Sequence, residues 1–396
     1  MVYEIKKEIY MLIIKNARIL TMTGDDLDRG DILIKDGKIA KIGEKIDIGG
    51  AEIFDAEGLT AIPGIVDAHC HLGMWEDGIT DEGADGNETT DPVTPELRAI
   101  DAINPVDRCF SEALAGGVTT VVTGPGSANV IGGQFAALKT YGDCVDEMVI
   151  AEPHSLKTAL GENPKGVYSE QKVTPSTRMA TAALFREAFI DAGEYEKEKQ
   201  EDEKTKLDFK KEVLLQALHA QLPVKIHAHR ADDIQTAIRL SREFGLRISL
   251  DHCTEGYMIP AQVKKSGAKV ILGPFMTDRC KPELKNMTME APRILYENGV
   301  EFAIMSDHPV TLSQNLPVVA AMAVKYGLPE YEALKAITIN AAKAAWLDDR
   351  IGSLEEGKDA DIALFAGDPL DVRTRVAAVF VDGVRRALRP VGASKM

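Results

Sequence analysis

The sequence predicts an α/β protein: a (β/α)8 TIM barrel with a small β-sandwich domain formed by both chain ends. Buried-strand patterns alternate with helical patterns from Ile65 to about Trp346, which is typical of a parallel sheet. This span of about 285 residues suits a barrel, which is typically about 250 residues long. Strand-and-turn patterns without helices lie on both sides of it.

The predicted β domain begins with two β-rich stretches, 12–20 and 32–42. The second stretch contains Asp36-Gly37 between apolar runs, which is a strong hairpin signal. The same texture returns at 360–365. We therefore predict two domains, a composite β domain of residues 1–63 plus 350–396 and a barrel of residues 64–349.

Within the barrel, the strand count between Val118–Thr123 and His227 is open. Val118–Thr123 is a β-branched run that ends in a glycine-rich stretch. After it, Gln134–Thr140 and Leu156–Ala159 are both candidate strands, and the sequence does not decide which of them belongs to the barrel.

The composition excludes several classes of protein. The formal charge of −16 disfavours nucleic acids and anionic membrane surfaces as partners. The five cysteines include no CxxC pair, which favours reduced thiols inside a cell. No apolar run approaches the roughly 20 residues of a membrane helix, and the charged N-terminus is unlike a signal peptide. We expect a cytoplasmic protein.

The stretch that indicates chemistry is Ile62–Met74. It predicts a short buried strand that delivers His69 and His71 at its C-terminal end. Side chains at positions i and i+2 of a strand point to the same face. Two imidazoles that converge in this way suit a divalent metal such as zinc.

Further polar side chains stand at the ends of other predicted strands. Five of the eight histidines do so, and Asp307 ends a strand, while Glu162 follows Ala159-Leu160-Gly161. The C-terminal ends of barrel strands form one face, where the active site lies. Burying this many polar groups without a partner would cost several kcal/mol each. The set predicts a metal site that includes His69, His71, Glu162, His227, His252 and Asp307.

These motifs resemble those of a known family. The stretch Pro63–His71, together with Ser306-Asp307, resembles the amidohydrolase superfamily and, within it, the imidazolonepropionase-related metal-dependent amidohydrolases. The flanking stretches 36–43 and 357–363 are similar to that family's β-domain motifs. The resemblance extends over essentially the whole chain.

The resemblance implies metal ligands. His69, His71 and Asp307 would bind a first metal, and His227 and His252 a second one. In members with one metal, His252 would instead orient the substrate. The resemblance favours His227 over His229, although their spacing allows either to be the ligand. It implies one or two divalent ions per chain, and Zn²⁺ is the expected ion.

A bridging ligand between the two metals is also implied. Glu162 resembles the bridging carboxylate of some members and is preferred, because the turn Gly161-Glu-Asn-Pro164 would place it at the rim. Members with a carbamylated lysine carry it nearby, and Lys157 is the candidate for that role.

The expected activity is metal-dependent hydrolysis of a C–N bond, in an amide or cyclic amide of a small molecule. A metal lowers the pKa of its bound water towards about 7. Asp307 would accept the water's proton as hydroxide attacks the carbonyl carbon, and would then return it to the leaving nitrogen.

Substrate contacts are predicted from loops at the same rim. The glycine-rich loop 124–134 permits close approach of a ligand and contributes Asn129 and Gln134. His229 is the third predicted substrate-binding residue. The identity of the substrate is open, and a homo-oligomer is an expectation from the resemblance.

Two other functions compete with amide hydrolysis. One is a deaminase of a cyclic amidine. Related deaminases carry a catalytic Glu three residues after the histidine of the fifth strand, whereas Arg230 occupies that position here. The other is a non-catalytic metal-binding relative, which would usually have lost some of these ligands.

Overall fold

A computed structural model describes residues 10–386. The N-terminal strands are β1 (Met11–Ile19), β2 (Leu27–Lys35), β3 (Lys38–Gly43), β4 (Glu52–Asp55) and β5 (Thr60–Pro63). The predicted hairpin is confirmed, because β2 and β3 pair antiparallel around Asp36 and Gly37. Both turn residues have positive φ, 50° and 80°, as a two-residue hairpin turn of this kind requires.

The central sheet has eight strands and forms a nearly closed barrel. In chain order and in space they are β6 (Ile65–Cys70), β7 (Val118–Thr123), β8 (Ile131–Lys139), β9 (Val149–Ala159), β10 (Val224–Ala228), β11 (Ile248–His252), β12 (Lys269–Leu272) and β13 (Ala303–Ile304). Both candidate strands of the uncertain region therefore belong to it. Strand β8 runs antiparallel to β7 and β9, while the other neighbours are parallel.

The barrel closes between its first and last strands through the residues that end them. The Asp307 backbone N–H donates to the His69 carbonyl oxygen at 3.2 Å, and the His71 N–H donates to the His308 carbonyl oxygen at 3.0 Å. Because these bonds join the ends of β6 and β13, the seam of the barrel holds the histidines and the aspartate in one place.

Helices surround the barrel. They are α1 (Arg108–Ala115), α2 (Val145–Met148), α3 (Glu162–Glu170), α4 (Arg178–Glu201), α5 (Phe209–Leu218), α6 (Ala231–Phe244), α7 (Pro260–Ser266), α8 (Ala291–Glu297), α9 (Leu316–Lys325), α10 (Glu330–Ala336) and α11 (Ile339–Ala344). Helix α6 shows why they form here: its buried residues recur with helical spacing, and it ends at Gly245 in the left-handed conformation. No helix within residues 10–386 is long and apolar enough to cross a membrane.

The C-terminal strands return to the N-terminal sheet. They are β14 (Ile362–Phe365), β15 (Val376–Val381) and β16 (Val384–Arg386), and the sheet order is β16-β15-β14-β5-β1-β2-β3, with β4 beside β1. Both ends of the chain thus share one mixed sheet. The finer prediction of a β-sandwich is not confirmed. The domain boundaries stay a prediction, and residues 1–9 and 387–396 of that prediction lie outside the described part.

A buried lysine links this sheet to the barrel. The Lys139 ammonium, at the end of β8, donates to Asp359 Oδ2 at 3.0 Å and to Asp361 Oδ2 at 2.5 Å. Both aspartates precede β14 and are buried. One buried ammonium group at the junction is therefore shared by two buried carboxylates.

Candidate metal centre

The strands β6 and β13 position the first group of candidate ligands. His69 lies within β6 and His71 directly follows it, so both imidazoles point to the same face. Asp307 follows β13, and its Oδ1 lies 3.5 Å from His69 Nε2 and 3.3 Å from His71 Nε2. All three side chains are buried. The structure thus brings together the three residues predicted to bind a first metal.

A second group lies on the neighbouring strands β10 and β11. It consists of His227, His229 and His252, which are buried and whose ligand atoms lie within 4.8 Å of one another. His252 is opposite Ala228 in the parallel ladder, between the two histidines of the other strand. His229, predicted to contact the substrate, therefore lies with the candidate metal ligands.

Backbone carbonyl oxygens set the tautomer of two histidines. His71 Nδ1 lies 2.7 Å from the carbonyl oxygen of Gly124, and His252 Nδ1 lies 3.0 Å from that of Gly273. A carbonyl oxygen can only accept, so each Nδ1 carries the proton and each Nε2 keeps a free lone pair. This is how metal-binding histidines are normally oriented.

A carboxylate orients a third histidine. Asp251 Oδ2 lies 2.8 Å from His69 Nδ1 and also pairs with the Lys225 ammonium at 3.2 Å. Although burial raises the pKa of Asp251, the charge of Lys225 and the close contact with His69 Nδ1 lower it overall. The anionic Asp251 therefore directs the lone pair of His69 Nε2 towards Asp307. The sequence carried a signal for this role, because an aspartate directly precedes His252 within an apolar strand.

Four of the histidines, His69, His227, His229 and His252, are neutral at pH 7. Burial lowers the pKa of His69, and it lowers those of His227 and His252 well below the usual range, with neighbouring imidazoles adding to the effect at both. Burial and the charge of Lys281 lower the pKa of His229 to about 3. Because neutral imidazole is the form that coordinates a metal, this environment favours metal binding over protonation.

Lys157 lies between these groups in the barrel interior. It is fully buried in β9, and its Nζ lies 3.3 Å from His69 Nε2. It also lines the cavity that His71, His227 and Asp307 line. Burial lowers the pKa of the Lys157 ammonium to about 8. The sequence signal for Lys157 is a charged residue inside the otherwise uncharged second half of β9, residues 155–159.

Glu162 does not join either group. It begins α3, and its Oε2 accepts a hydrogen bond from the Glu283 backbone N–H at 3.2 Å. In return, Glu283 Oε2 accepts from the Glu162 N–H at 3.1 Å. The start of a helix thus turns the Glu162 carboxylate towards the loop after β12. The other oxygen of Glu283, Oε1, lies 3.6 Å from His229 Nε2.

An open cavity of about 290 Å³ lies over the two groups. Asn129 and Gln134 are not among its lining residues. Asn129 is buried and bonds to Thr94 Oγ1 and the Tyr168 hydroxyl, while Gln134 Nε2 donates to the Pro95 carbonyl oxygen at 2.9 Å. Gln134 lies in β8 and Asn129 in the loop before it, and both amides make structural hydrogen bonds in place of the predicted substrate contacts.

The side chains present fit a divalent metal. Both ring nitrogens of His227, Nε2 of His229 and Oε1 of Glu283 are buried and have no hydrogen-bond partner within residues 10–386. Such groups cost free energy unless something binds them. Neutral imidazoles with a carboxylate are the donor set that zinc and similar ions prefer.

Comparison with known proteins agrees with this geometry. The model of the amidohydrolase family matches residues 60–387, which is most of the chain. The chain belongs to the amidohydrolase family. It is therefore a hydrolase, from a family that generally depends on divalent metals for C–N bond hydrolysis, and the predicted resemblance is confirmed.

Individual relatives support the assignment. The crystal structure of an amidohydrolase from Thermotoga maritima MSB8 has a TM-score of 0.93 and 45% identity, and the match covers 96% of this chain and 100% of that one. The imidazolonepropionase of Thermoplasma volcanium is 28% identical, with 87% of this chain and 85% of the relative covered.

A longer relative matches over part of its length. The amidohydrolase tasK of Hapsidospora irregularis is 31% identical over 398 aligned positions, and the match covers 92% of this chain and 41% of tasK. This amidohydrolase thus spans less than half of tasK.

Proposed function

We propose that this amidohydrolase hydrolyses a C–N bond, in an amide or cyclic amide of a small molecule, at a centre of two zinc ions. The observation that carries the proposal is the pair of buried ligand groups on adjacent parts of one barrel rim. His69, His71 and Asp307 would hold one ion. His252, with His227 or His229, would hold the other.

We further propose that carbamylated Lys157, rather than Glu162, bridges the two ions. Lys157 Nζ already lies 3.3 Å from His69 Nε2 and lines the cavity. Its neutral amine would attack the carbon of CO₂, forming an N–C bond and releasing one proton. The carbamate anion would replace a buried positive charge by a carboxylate-like group that two cations stabilise. Glu162 instead bonds to Glu283.

A divalent ion in this centre would polarise a carbonyl oxygen and make water nucleophilic at neutral pH. The chain's own residue for proton transfer is Asp307. Although burial raises the pKa of Asp307, hydrogen bonds with His69 and His71 lower it overall, so the group is an anion at pH 7. It can accept a proton as the C–O bond forms and pass it to the nitrogen as the C–N bond breaks.

Replacing Asp307 tests this role. We expect Asp307→Asn to lower kcat by about 10²- to 10⁴-fold, because the amide cannot accept the proton. We expect bound metal, measured by elemental analysis, to be largely retained through the histidines. Asp278→Asn serves as the control, because Asp278 is exposed and lies in the loop after β12. An Asp307→Asn variant with near-wild-type kcat would contradict the assignment.

Lys157 and Glu162 are distinguished by a matched pair of variants. We expect Lys157→Ala to lose about one metal ion per chain and most activity, and added propionate to restore part of both by supplying a carboxylate. Glu162→Gln should keep its metal content and activity. A carbamate signal from the protein in ¹³C-bicarbonate would identify the modification directly. The opposite pattern of metal loss would restore Glu162 as the bridge.

The reaction class is tested by screening the metal-loaded enzyme against N-acyl amino acids, dipeptides and cyclic amides or ureas. Hydrolysis of at least one of these classes, detected by mass spectrometry of the products, is the expected result. Hydrolysis of none of them by protein with a full metal content would contradict the proposed function.

A further inference from the structure

Lys281 is a cation that lines the cavity but is not one of the candidate metal ligands. It lies in the loop after β12 and lines the cavity together with the candidate ligands. Its side chain is half-buried, and its Nζ donates a hydrogen bond to Asn163 Oδ1 at 3.1 Å. Within residues 10–386 no carboxylate lies within 4 Å of this ammonium group, so its charge is not neutralised there by an ion pair.

A chain of hydrogen bonds holds Lys281 in place. Asn163 Nδ2 donates to Ser127 Oγ at 2.6 Å, while Asn163 Oδ1 accepts from Lys281. Ser127 follows β7, Asn163 follows β9 and Lys281 follows β12. Two loops and the start of α3 therefore meet at this ammonium group. A lysine held in one position in this way is typical of a ligand-binding site. A surface lysine without such hydrogen bonds ordinarily keeps its rotamer freedom.

The carboxylate of Glu283, two residues after Lys281, forms no ion pair with this lysine among the described residues. Glu283 Oε2 instead accepts from the Glu162 backbone N–H, and the Glu283 N–H donates to Glu162 Oε2. With Lys157 as a carbamate, Lys281 is the remaining lysine or arginine among the described residues that line the cavity. The cavity then has metal ligands on one side and a single fixed positive charge on another.

We propose that Lys281 binds a carboxylate of the substrate and thereby selects N-acyl amino acids, dipeptides or cyclic amides that carry one free carboxylate. This inference rests on the hydrolase function proposed above. A single ammonium group matches a single negative charge, which favours a carboxylate over a phosphate. Trp75, Leu284 and Val310 also line the cavity and would contact the apolar part of such a molecule.

Matched substrate pairs test the proposal. N-acetyl amino acids of glycine, alanine, leucine, phenylalanine and proline are compared with their primary amides, using metal-loaded enzyme and release of acetate. We expect the best acid to exceed its amide in kcat/KM by at least 10-fold. Lys281→Met should lower kcat/KM for the acid by about 10- to 100-fold, mainly through KM, and for the amide by less than 3-fold.

Lys285→Met is the control, because Lys285 is exposed and lies outside the cavity lining. It should leave both members of each pair unchanged. Equal kcat/KM values for acids and amides in the wild type would overturn the proposal. So would a Lys281→Met variant that loses activity on both members alike.

A binding measurement separates this proposal from the hydrolase proposal. If no pair is hydrolysed, the rate at which iodoacetamide alkylates Cys280 reports whether a compound occupies the cavity. This exposed thiol lines the cavity beside Lys281, so a bound compound would slow its alkylation. Protection by the acids but not the amides, lost in Lys281→Met, would support anion binding although hydrolysis had failed. Absence of protection by every acid would overturn it. The exposed Cys144 lies outside the lining and serves as the internal control.

Discussion

At the scale of single residues, the centre depends on keeping histidines neutral inside the barrel. This arrangement makes the metal-free protein less stable at low pH. Buried imidazoles resist protonation, whereas the same imidazoles become protonated when the chain unfolds. His229 is one example: burial and the charge of Lys281 lower its pKa to about 3, against a usual value near 6.5 in an unfolded chain. Its Nδ1 pairs with Thr254 Oγ1 at 2.7 Å, and its Nε2 has no partner among the described residues.

We therefore expect acid to destabilise the metal-free protein through His229. Below about pH 6.5 the unfolded chain binds a proton that the folded protein does not, so stability falls as pH falls, by about 1.4 kcal/mol per pH unit for this group, until the folded pKa is reached. Urea unfolding of wild type and His229→Gln from pH 7 to 4.5 measures the effect. The stability of the wild type relative to the variant should fall with pH. A constant difference would contradict it.

At the scale of elements, loop length decides the direction of β8. The connection 124–130 between β7 and β8 is too short for a crossover helix, which needs at least about 10–12 residues. The strand therefore turns back as a hairpin. The same short loop brings the Gly124 carbonyl oxygen to His71 Nδ1. A departure from strict strand–helix alternation thus lies beside the metal centre.

Gly124 has little room for a side chain. An added Cβ would lie 2.3 Å from the buried ring of Phe135, which packs 5.3 Å from the His69 ring. We expect Gly124→Ala to lower the free energy of unfolding by about 1–3 kcal/mol and to weaken metal binding. Gly193→Ala is the matched control, because Gly193 lies in α4 with no atom within 4 Å of an added Cβ.

The two glycine variants should move stability in opposite directions. Gly193→Ala is expected to stabilise the protein by about 0.5–1 kcal/mol, since alanine loses less backbone entropy in a helix, and to leave activity unchanged. Chemical denaturation and metal titration of both variants provide the measurement. Similar effects of the two substitutions would show that crowding at Gly124 is not the cause.

At the scale of the whole molecule, the two sheets are joined by a buried charge cluster. Lys139 from the barrel bonds to Asp359 and Asp361, and burial raises the pKa of Asp361 despite the lysine. The Lys38 ammonium and the Arg350 guanidinium also pair with Asp359. Removal of Lys139 would leave buried carboxylates with fewer positive partners.

We expect Lys139→Met to destabilise the protein by about 3–5 kcal/mol, the usual cost of breaking a buried ion pair on one side. Lys197→Met, which removes a 67% exposed lysine paired with Glu194 in α4, should change stability by no more than about 0.5 kcal/mol. Urea unfolding of both variants measures the difference. Equal effects would mean that the junction does not depend on this charge cluster.

The sequence by itself determined the barrel, the family and most candidate ligands of the centre. Strand patterns are local, and polar residues that end parallel strands must share one rim, so His69, His71, His252 and Asp307 could be named from their positions alone. The Asp36-Gly37 hairpin was equally predictable, because it depends only on backbone conformation.

Only the tertiary structure decided how side chains meet across strands. It turned Glu162 towards Glu283, placed Lys157 beside His69, and grouped His229 with His227 and His252. It also carried Asn129 and Gln134 into structural hydrogen bonds. These outcomes depend on loop closure and on side-chain direction at the rim, where a change of one turn of helix or one strand reversal redirects a functional group. Local sequence patterns do not contain that information.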